Sequence, residues 1–248
     1  MIQKSNVSTW VWRFDLNPIL RTQGLTAFYG DAQALFGIDF ELFPGELVAI
    51  IGANGAGKST FLKCLTGLIK TKLESIVWKG QPIGGTAPGV IVRAGLTMVP
   101  EGRRLFPSLT VEENLLMGAN ANRSGPWDLA RIYALFPILK DKKSLPSTSL
   151  SGGQQQMVAI GRALMSNPEV LLCDELSLGL APIVIKEIYS AMPEITSEGM
   201  TVVIVEQDVA MARQVSKRLY CFQEGVVSLQ GNSDSLTNED ISQAYFGV

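Results

Sequence analysis

Three short runs of the chain are apolar at almost every position: Leu47–Ile51, Val170–Cys173 and Thr201–Val205. A strand without polar alternation is buried on both faces, which is the habit of a mostly parallel sheet covered by helices on both sides. The first run leads into a glycine-rich loop and then into Phe61, Leu62, Leu65 and Leu68 at helical spacing, so the pattern predicts strand, loop, helix. The second follows Pro168 and ends in two acids, Asp174 and Glu175; the third follows the turn residue Gly199. Arg218–Gln223 and Val226–Gln230, separated by Glu224-Gly225, predict a hairpin. Between the first and second runs the signals are helical instead. Thr110 and Glu113 are spaced as a capping box that opens a helix through Leu115 and Met117. Residues 101–164 thus read as a helical subdomain inserted into an α/β core made of 20–100 and 165–248. Asn122–Asp128, with Ser, Gly and Pro together, reads as a surface loop. No repeat, heptad array or low-complexity tract interrupts the chain.

A chain of 248 residues buries one substantial core, and 46% hydrophobic against 18% charged residues excludes a disordered chain. The net charge of −2 offers no general attraction for a nucleic-acid backbone, so no nucleic-acid partner is expected. Cys64, Cys173 and Cys221 are odd in number and sit among apolar neighbours, which fits reduced core thiols in a cytosolic setting. There is no histidine, which removes His-based metal sites and Ser-His or Cys-His nucleophiles, leaving carboxylates, amides, lysine and metal for any chemistry. The apolar stretches stop at about eight residues, short of the roughly 20 that span a bilayer. Residues 1–19 carry Lys4 and Arg13 and no continuous apolar core; they read as a leader of unassigned role rather than a secretory signal.

Gly52-Ala53-Asn54-Gly55-Ala56-Gly57-Lys58-Ser59, followed by Thr60, matches the phosphate-binding loop pattern and stands where that pattern must stand, between an apolar strand and a helix. The glycines let successive backbone N–H groups turn inward on phosphate oxygens, Lys58 reaches the β- and γ-phosphates, and the helix N-terminus adds favourable dipole charge. Ser59 would hold Mg²⁺ through its hydroxyl. Asp174 and Glu175 end a buried strand, where side chains emerge into the crevice of an α/β sheet. Alone, such a pair would more often cap a helix. Beside a phosphate loop, Asp174 would help hold Mg²⁺ and Glu175 would act as general base on the attacking water.

Leu150-Ser151-Gly152-Gly153-Gln154 opens a helix carrying Met157, Ile160 and Leu164, a second helix N-terminus suited to an anion. With these three motifs in this order the chain, from about Leu20 to its C-terminus, closely resembles the ABC ATPases. The resemblance implies an α/β P-loop NTPase (RecA-like) fold with a mostly parallel core, an antiparallel β subdomain and the inserted helical signature subdomain. It implies two ATPase subunits facing head to tail, so that Ser151, Gly152, Gly153 and Gln154 of one close over the ATP held by Lys58 of the other. It also implies transmembrane permease subunits as partners, an external solute-binding protein acting indirectly, and a place on the cytoplasmic face of the membrane. Tyr29 lies where the family stacks an aromatic on adenine, although a core tyrosine beside Phe28 is the competing reading. Ser177-Leu178-Gly179-Leu180 lies where the family has its subunit-contact loop.

Within the family the match is tightest to ATP-binding subunits of branched-chain amino-acid importers. It rests on Val99 to Pro107, Leu178 to Pro182, Val205-Glu206-Gln207 and the terminal Ala244-Tyr245-Phe246-Gly247. Glu101 stands where most family members carry a glutamine that senses Mg²⁺ and the attacking water. Gln207 stands where most carry a histidine that contacts the γ-phosphate, and an amide donates a hydrogen bond without a histidine's charge. Leu176 replaces a common proline, with no evident functional reason. The resemblance favours an unlike ATPase as the second subunit over a second copy. A urea or other small-solute importer, or a DNA-maintenance ATPase, shares the three motifs; the latter class carries long heptad arms that this chain lacks. A non-hydrolysing nucleotide switch is the third reading, against which Glu175 stands.

Overall fold

The computed structural model describes residues 17–246, so most of the segment set apart as a leader, and Gly247 of the terminal motif, lie outside the described residues. Strand β1 (Leu20–Tyr29) pairs antiparallel with β2 (Ala32–Leu42), Leu20 opposite Leu42. The apolar run predicted as the first buried strand is β3 (Leu47–Ile51), buried at all five positions. It feeds α1 (Lys58–Leu65). Next come β4 (Ile76–Trp78) and β5 (Gln81–Pro82), which complete a four-stranded antiparallel sheet in the order β2-β1-β4-β5.

Helix α1 stops sooner than its apolar spacing suggested. Gly67 takes a left-handed φ of 73°, its N–H donates to Cys64 O, and that of Leu68 turns back to Lys63 O, a glycine-terminated helix end. Leu68 therefore lies beyond the helix, largely exposed.

Then follow α2 (Pro88–Ala94), β6 (Leu96–Val99), α3 (Val111–Leu116), α4 (Leu129–Leu135), α5 (Pro137–Asp141) and α6 (Gly152–Leu164). Between β6 and β7 the described residues form helices and turns, apart from one isolated bridge between Thr110 and Pro146. The Thr110–Glu113 capping box closes in both directions. Met117, expected on the same helix, starts a 3-10 turn and is exposed.

Asn122–Asp128 is less of a surface loop than its composition suggests. Trp127 is buried, its N–H donates to Asn167 Oδ1 at 2.7 Å, and Arg123 donates to the carbonyls of Arg93 and Asn167 while pairing with Glu169. The aromatic surface of one tryptophan outweighs the turn residues around it.

The chain continues through β7 (Val170–Asp174), α7 (Pro182–Ser190), α8 (Met192–Ser197), β8 (Thr201–Glu206), α9 (Val209–Val215), the hairpin β9 (Arg218–Gln223) and β10 (Val226–Asn232), and α10 (Asn238–Phe246). The second sheet has the order β10-β9-β3-β8-β7-β6. Its strands run parallel except β10, which lies antiparallel to β9 at the edge. One apolar core packs the helices between β6 and β7, with α7 and α8, on one face of this sheet. A second joins its other face to α1 and the antiparallel sheet. Phe61 of α1 is fully buried with its ring 5.2 Å from that of Phe40 and 5.4 Å from that of Phe222. Truncating such a side chain costs roughly 3–5 kcal/mol, so this cluster fixes where α1 begins. The three cysteines are free and buried.

Candidate nucleotide site

Four neighbouring parallel strands deliver their C-terminal ends to one edge of the larger sheet. Strand β3 runs into Gly52, β8 into Gln207, β7 into Glu175, and β6 through Pro100 into Glu101. Residues far apart in sequence thus line one cleft of about 300 Å³, formed by residues 54–60 with Glu101, Glu175, Leu178 and Gln207.

The loop between β3 and α1 is shaped by close approaches that only glycine permits. A Cβ on Gly52 would stand 2.2 Å from Phe222 O, and one on Gly57 would meet Leu35 Cδ2 at 2.7 Å, both at positive φ. Gly57 caps α1 without a side chain to occupy the helix N-terminus, which leaves first-turn N–H groups facing the cleft. Ala56 packs beneath the loop, buried, and its carbonyl accepts from Gly225 N–H. Lys58, 4% exposed, turns its Nζ onto the carbonyls of Gly52 at 2.7 Å and Ala53 at 3.0 Å, and stands 3.6 Å from Glu175 Oε1. The ammonium is held by neutral dipoles and one carboxylate at the place a phosphate would take.

Ser59 Oγ donates to Asp174 Oδ1 at 2.9 Å. Burial raises the Asp174 carboxyl to about 6, a push that the Glu175 and Glu101 carboxylates reinforce and the Ser59 hydroxyl opposes. Excess negative charge beside a hydroxyl suits a hard divalent cation. Among the described residues no three His, Cys, Asp or Glu side chains form a self-contained metal cage. A cation here would therefore take few protein ligands and complete its shell with phosphate and water, as Mg²⁺ does. The oxygen donors present fit that ion.

Glu175 sits at a left-handed φ of 49°, its N–H donating to Val205 O. Gln207 Nε2 donates to Glu175 Oε2 at 2.8 Å. Tyr29 is not a core residue: it is 52% exposed at the end of β1, with its hydroxyl 3.3 Å from Thr60 Oγ1. The phosphate loop, Tyr29, Glu101, Asp174, Glu175 and Gln207 are thus brought to one place.

The signature residues are not. Ser151, Gly152, Gly153 and Gln154 do not line the cleft. Ser151 is exposed and caps α6 in a box with Gln154, accepting from Gln154 N–H at 3.4 Å while Ser151 N–H donates to Gln154 Oε1 at 3.2 Å. Gly153 is covered by Val184 of α7, whose Cγ1 would stand 2.2 Å from an added Cβ. Its missing side chain leaves room for α7 to pack against the start of α6.

Glu206 carries no role from sequence, and Leu178 is expected only as part of a subunit-contact loop. Glu206, quoted only for the resemblance, is buried and accepts from Ser177 N–H, Ser177 Oγ and Tyr189 Oη. Leu178 enters the cleft wall. A buried acid beside a cleft-lining position at the end of a fully apolar strand was the available signal for Glu206.

A family profile described as ABC transporter matches residues 35–177, more than half of the chain. The chain belongs to the ABC transporter family. It is an ATP-binding cassette ATPase, with the P-loop NTPase fold of such cassettes. The high-affinity branched-chain amino acid transport ATP-binding protein BraG of Pseudomonas aeruginosa is 42% identical over 226 residues, covering 90% of this chain and 97% of that protein. The arginine transport ATP-binding protein ArtM of Bacillus subtilis is 34% identical, covering 86% and 91%. Among solved structures, a nucleotide-free ATP-binding cassette from an ABC transporter superposes with a TM-score of 0.76 at 27% identity, covering 92% of this chain and 95% of that one.

Proposed function

We propose that this ABC ATPase binds MgATP in the cleft around Lys58, hydrolyses it together with a second ATPase subunit, and powers uptake of branched-chain or other hydrophobic amino acids through separate permease subunits. The observation that carries the chemical part is the convergence of Lys58, Glu175 and Gln207 within hydrogen-bond or ion-pair reach beside Ser59 and Asp174. The 42% identity to a protein named for branched-chain amino acid transport supports the solute class.

Phosphate oxygens draw Lys58 Nζ from the carbonyls of Gly52 and Ala53, while backbone N–H groups of residues 54–60 wrap them. Ser59 and Asp174 hold Mg²⁺, with Glu101 facing the same cleft. Bound there, the ion would supply positive charge against the phosphate oxygens. Glu175 takes the proton of the attacking water, and the Gln207 amide keeps that carboxylate aimed and reaches the γ-phosphate as a neutral donor. The half-exposed ring of Tyr29 stacks on adenine. Ser151, Gly152, Gly153 and Gln154, outside the cleft of their own subunit, serve the cleft of the second one, which the resemblance makes an unlike ATPase.

Residues 101–164 move as a helical unit against the core of 20–100 and 165–248 and carry the motion to the permease. No helix among the described residues is long and apolar enough to cross a membrane. The chain sits at the cytoplasmic face, held there by the permease.

The test is reconstitution of the chain with its permease, second ATPase and solute-binding protein in vesicles. ATP-dependent accumulation of leucine, isoleucine or valine is expected, and Glu175→Gln abolishes it. Accumulation of urea in their place overturns the solute class; accumulation untouched by Glu175→Gln overturns the site.

A further inference from the structure

The left-handed backbone at Glu175 costs energy that its surroundings must hold, and the restraints come from two consecutive residues of β8. On one side Val205 O accepts the Glu175 N–H at 3.0 Å. On the other, two residues further along, Ser177 gives both its donors to the Glu206 carboxylate, the backbone N–H at 3.2 Å and the hydroxyl at 2.5 Å. Glu206 is 1% exposed, and the only other hydrogen-bond partner of its carboxylate among the described residues is the Tyr189 hydroxyl of α7. The residue just past the end of that strand, Gln207, grips the Glu175 side chain itself. The backbone of Glu175, its carboxylate and the turn that follows are therefore all fixed by Val205, Glu206 and Gln207.

We propose that Glu206 is a positioning residue for hydrolysis: by holding Ser177 it fixes the left-handed turn at Glu175 and so aims the base at the water beside the γ-phosphate. The proposal deepens the function proposed above and rests on it. Glu206 does not line the cleft. It acts through Glu175, and it reaches further through the loop it holds. Leu178, one residue past Ser177, forms part of the cleft wall, and Tyr189 ties the same carboxylate to α7, whose Val184 covers Gly153 at the start of the signature helix. The chain's own base and its own signature turn thus hang on one buried carboxylate. A group that aims a base changes turnover more than substrate affinity, whereas a purely structural acid alters both with the fold.

The experiment is steady-state MgATP hydrolysis by the purified full chain at high protein concentration with the second ATPase subunit supplied, and nucleotide affinity and thermal stability measured on the same chain. Glu206→Leu, which keeps bulk but accepts no hydrogen bond, is expected to lower kcat at least about tenfold while KM for ATP stays within about twofold. Glu206→Gln, which retains an acceptor for Ser177 N–H and a donor for its hydroxyl, is expected to restore kcat to within about threefold of wild type. Should Glu206→Leu fail to fold, Ser177→Ala decides: it keeps the N–H contact, loses the hydroxyl, and is expected to lower kcat about threefold or more at unchanged melting temperature. Wild-type kcat in Glu206→Leu, or in Ser177→Ala where that variant decides, overturns the proposal, as does a Glu206→Gln variant as impaired as Glu206→Leu. A wild-type chain that hydrolyses no ATP even with the second ATPase subunit supplied overturns the underlying function instead, so the two failures are distinguishable.

Discussion

Gln207 and Glu175, each one residue past the end of the adjacent parallel strands β8 and β7, are joined by a 2.8 Å hydrogen bond from the amide to one carboxylate oxygen, while Lys58 stands 3.6 Å from the other oxygen. Glu175 is thereby oriented from both sides without being the group that holds phosphate. Glu175→Gln should therefore bind MgATP about as well as wild type and hydrolyse it at least about 10²-fold more slowly, the loss typical of a removed base. Lys58→Ala should lose nucleotide affinity itself. Equilibrium binding of a fluorescent ATP analogue beside a phosphate-release assay checks both, and undiminished hydrolysis by Glu175→Gln would refute the assignment.

Ser151 lies outside the cleft that Lys58 serves. Ser151→Arg places bulk and charge where the second subunit's γ-phosphate would dock and leaves the resident phosphate loop whole. Affinity of the isolated chain for ATP should be unchanged, and hydrolysis at high protein concentration should collapse. In a Glu175→Gln background, which should trap the closed pair, adding Ser151→Arg should return the protein to monomer on a sizing column; with an unlike native partner, that subunit must be supplied first. Full turnover by Ser151→Arg would reduce Ser151 to its capping role, worth about 1 kcal/mol.

Phe106 is 44% exposed and rests against the Arg162 guanidinium, 5.5 Å from ring centroid to carbon. Phe106→Asp should leave basal hydrolysis and melting temperature intact and abolish stimulation by the permease and solute. Leu109, half-buried, is a less clean probe, because a charge placed there would be partly removed from water. Transport-coupled ATPase in reconstituted vesicles is the measurement; loss of nucleotide binding in Phe106→Asp would make it a support of the fold.

Burial raises the Glu206 carboxyl above its ordinary value of 4.5, and the Ser177 and Tyr189 donors only partly offset that. The folded chain then holds a proton that the unfolded chain releases. The stabilising contribution is complete below 4.5 and is lost as pH rises through the higher folded value. Asp174, raised to about 6, acts in the same direction. In nucleotide-free protein the melting temperature should fall by a few degrees as pH rises from about 4.5 toward neutrality, and Glu206→Gln should remove part of that fall. A Glu206→Gln curve parallel to wild type contradicts the shift.

The phosphate loop and the acid pair could be read from the chain because each is contiguous and each sits at the end of an apolar run. Their roles need local backbone shape more than distant partners. Glu206 escaped because its partners, Ser177 and Tyr189, are ordinary polar residues at no diagnostic spacing, brought to it by a parallel register that pairs Asp174 with Val205. Leu68 misled because spacing records which side chains are apolar and is blind to the left-handed glycine that ends the helix before it. Trp127 was hidden by its neighbours: turn chemistry described the backbone of 122–128 correctly and missed the one side chain that seeks the interior. Gly153 shows the converse, a motif glycine whose immediate geometric demand is a valine on a neighbouring helix.

Gly52 lies against the carbonyl of Phe222, and Gly225 donates to Ala56, so the phosphate loop is braced by a hairpin near the far end of the chain. During synthesis the loop's own residues leave the ribosome early, yet the wall behind them is missing until that hairpin has emerged. Such long-range closure is a late event in folding. A nascent chain halted before Phe222 carries the whole phosphate-binding motif and lacks the brace that shapes it. Cellular ATP therefore meets this cradle only once Phe222 and Gly225 have emerged, and chains halted earlier gain little protection from nucleotide.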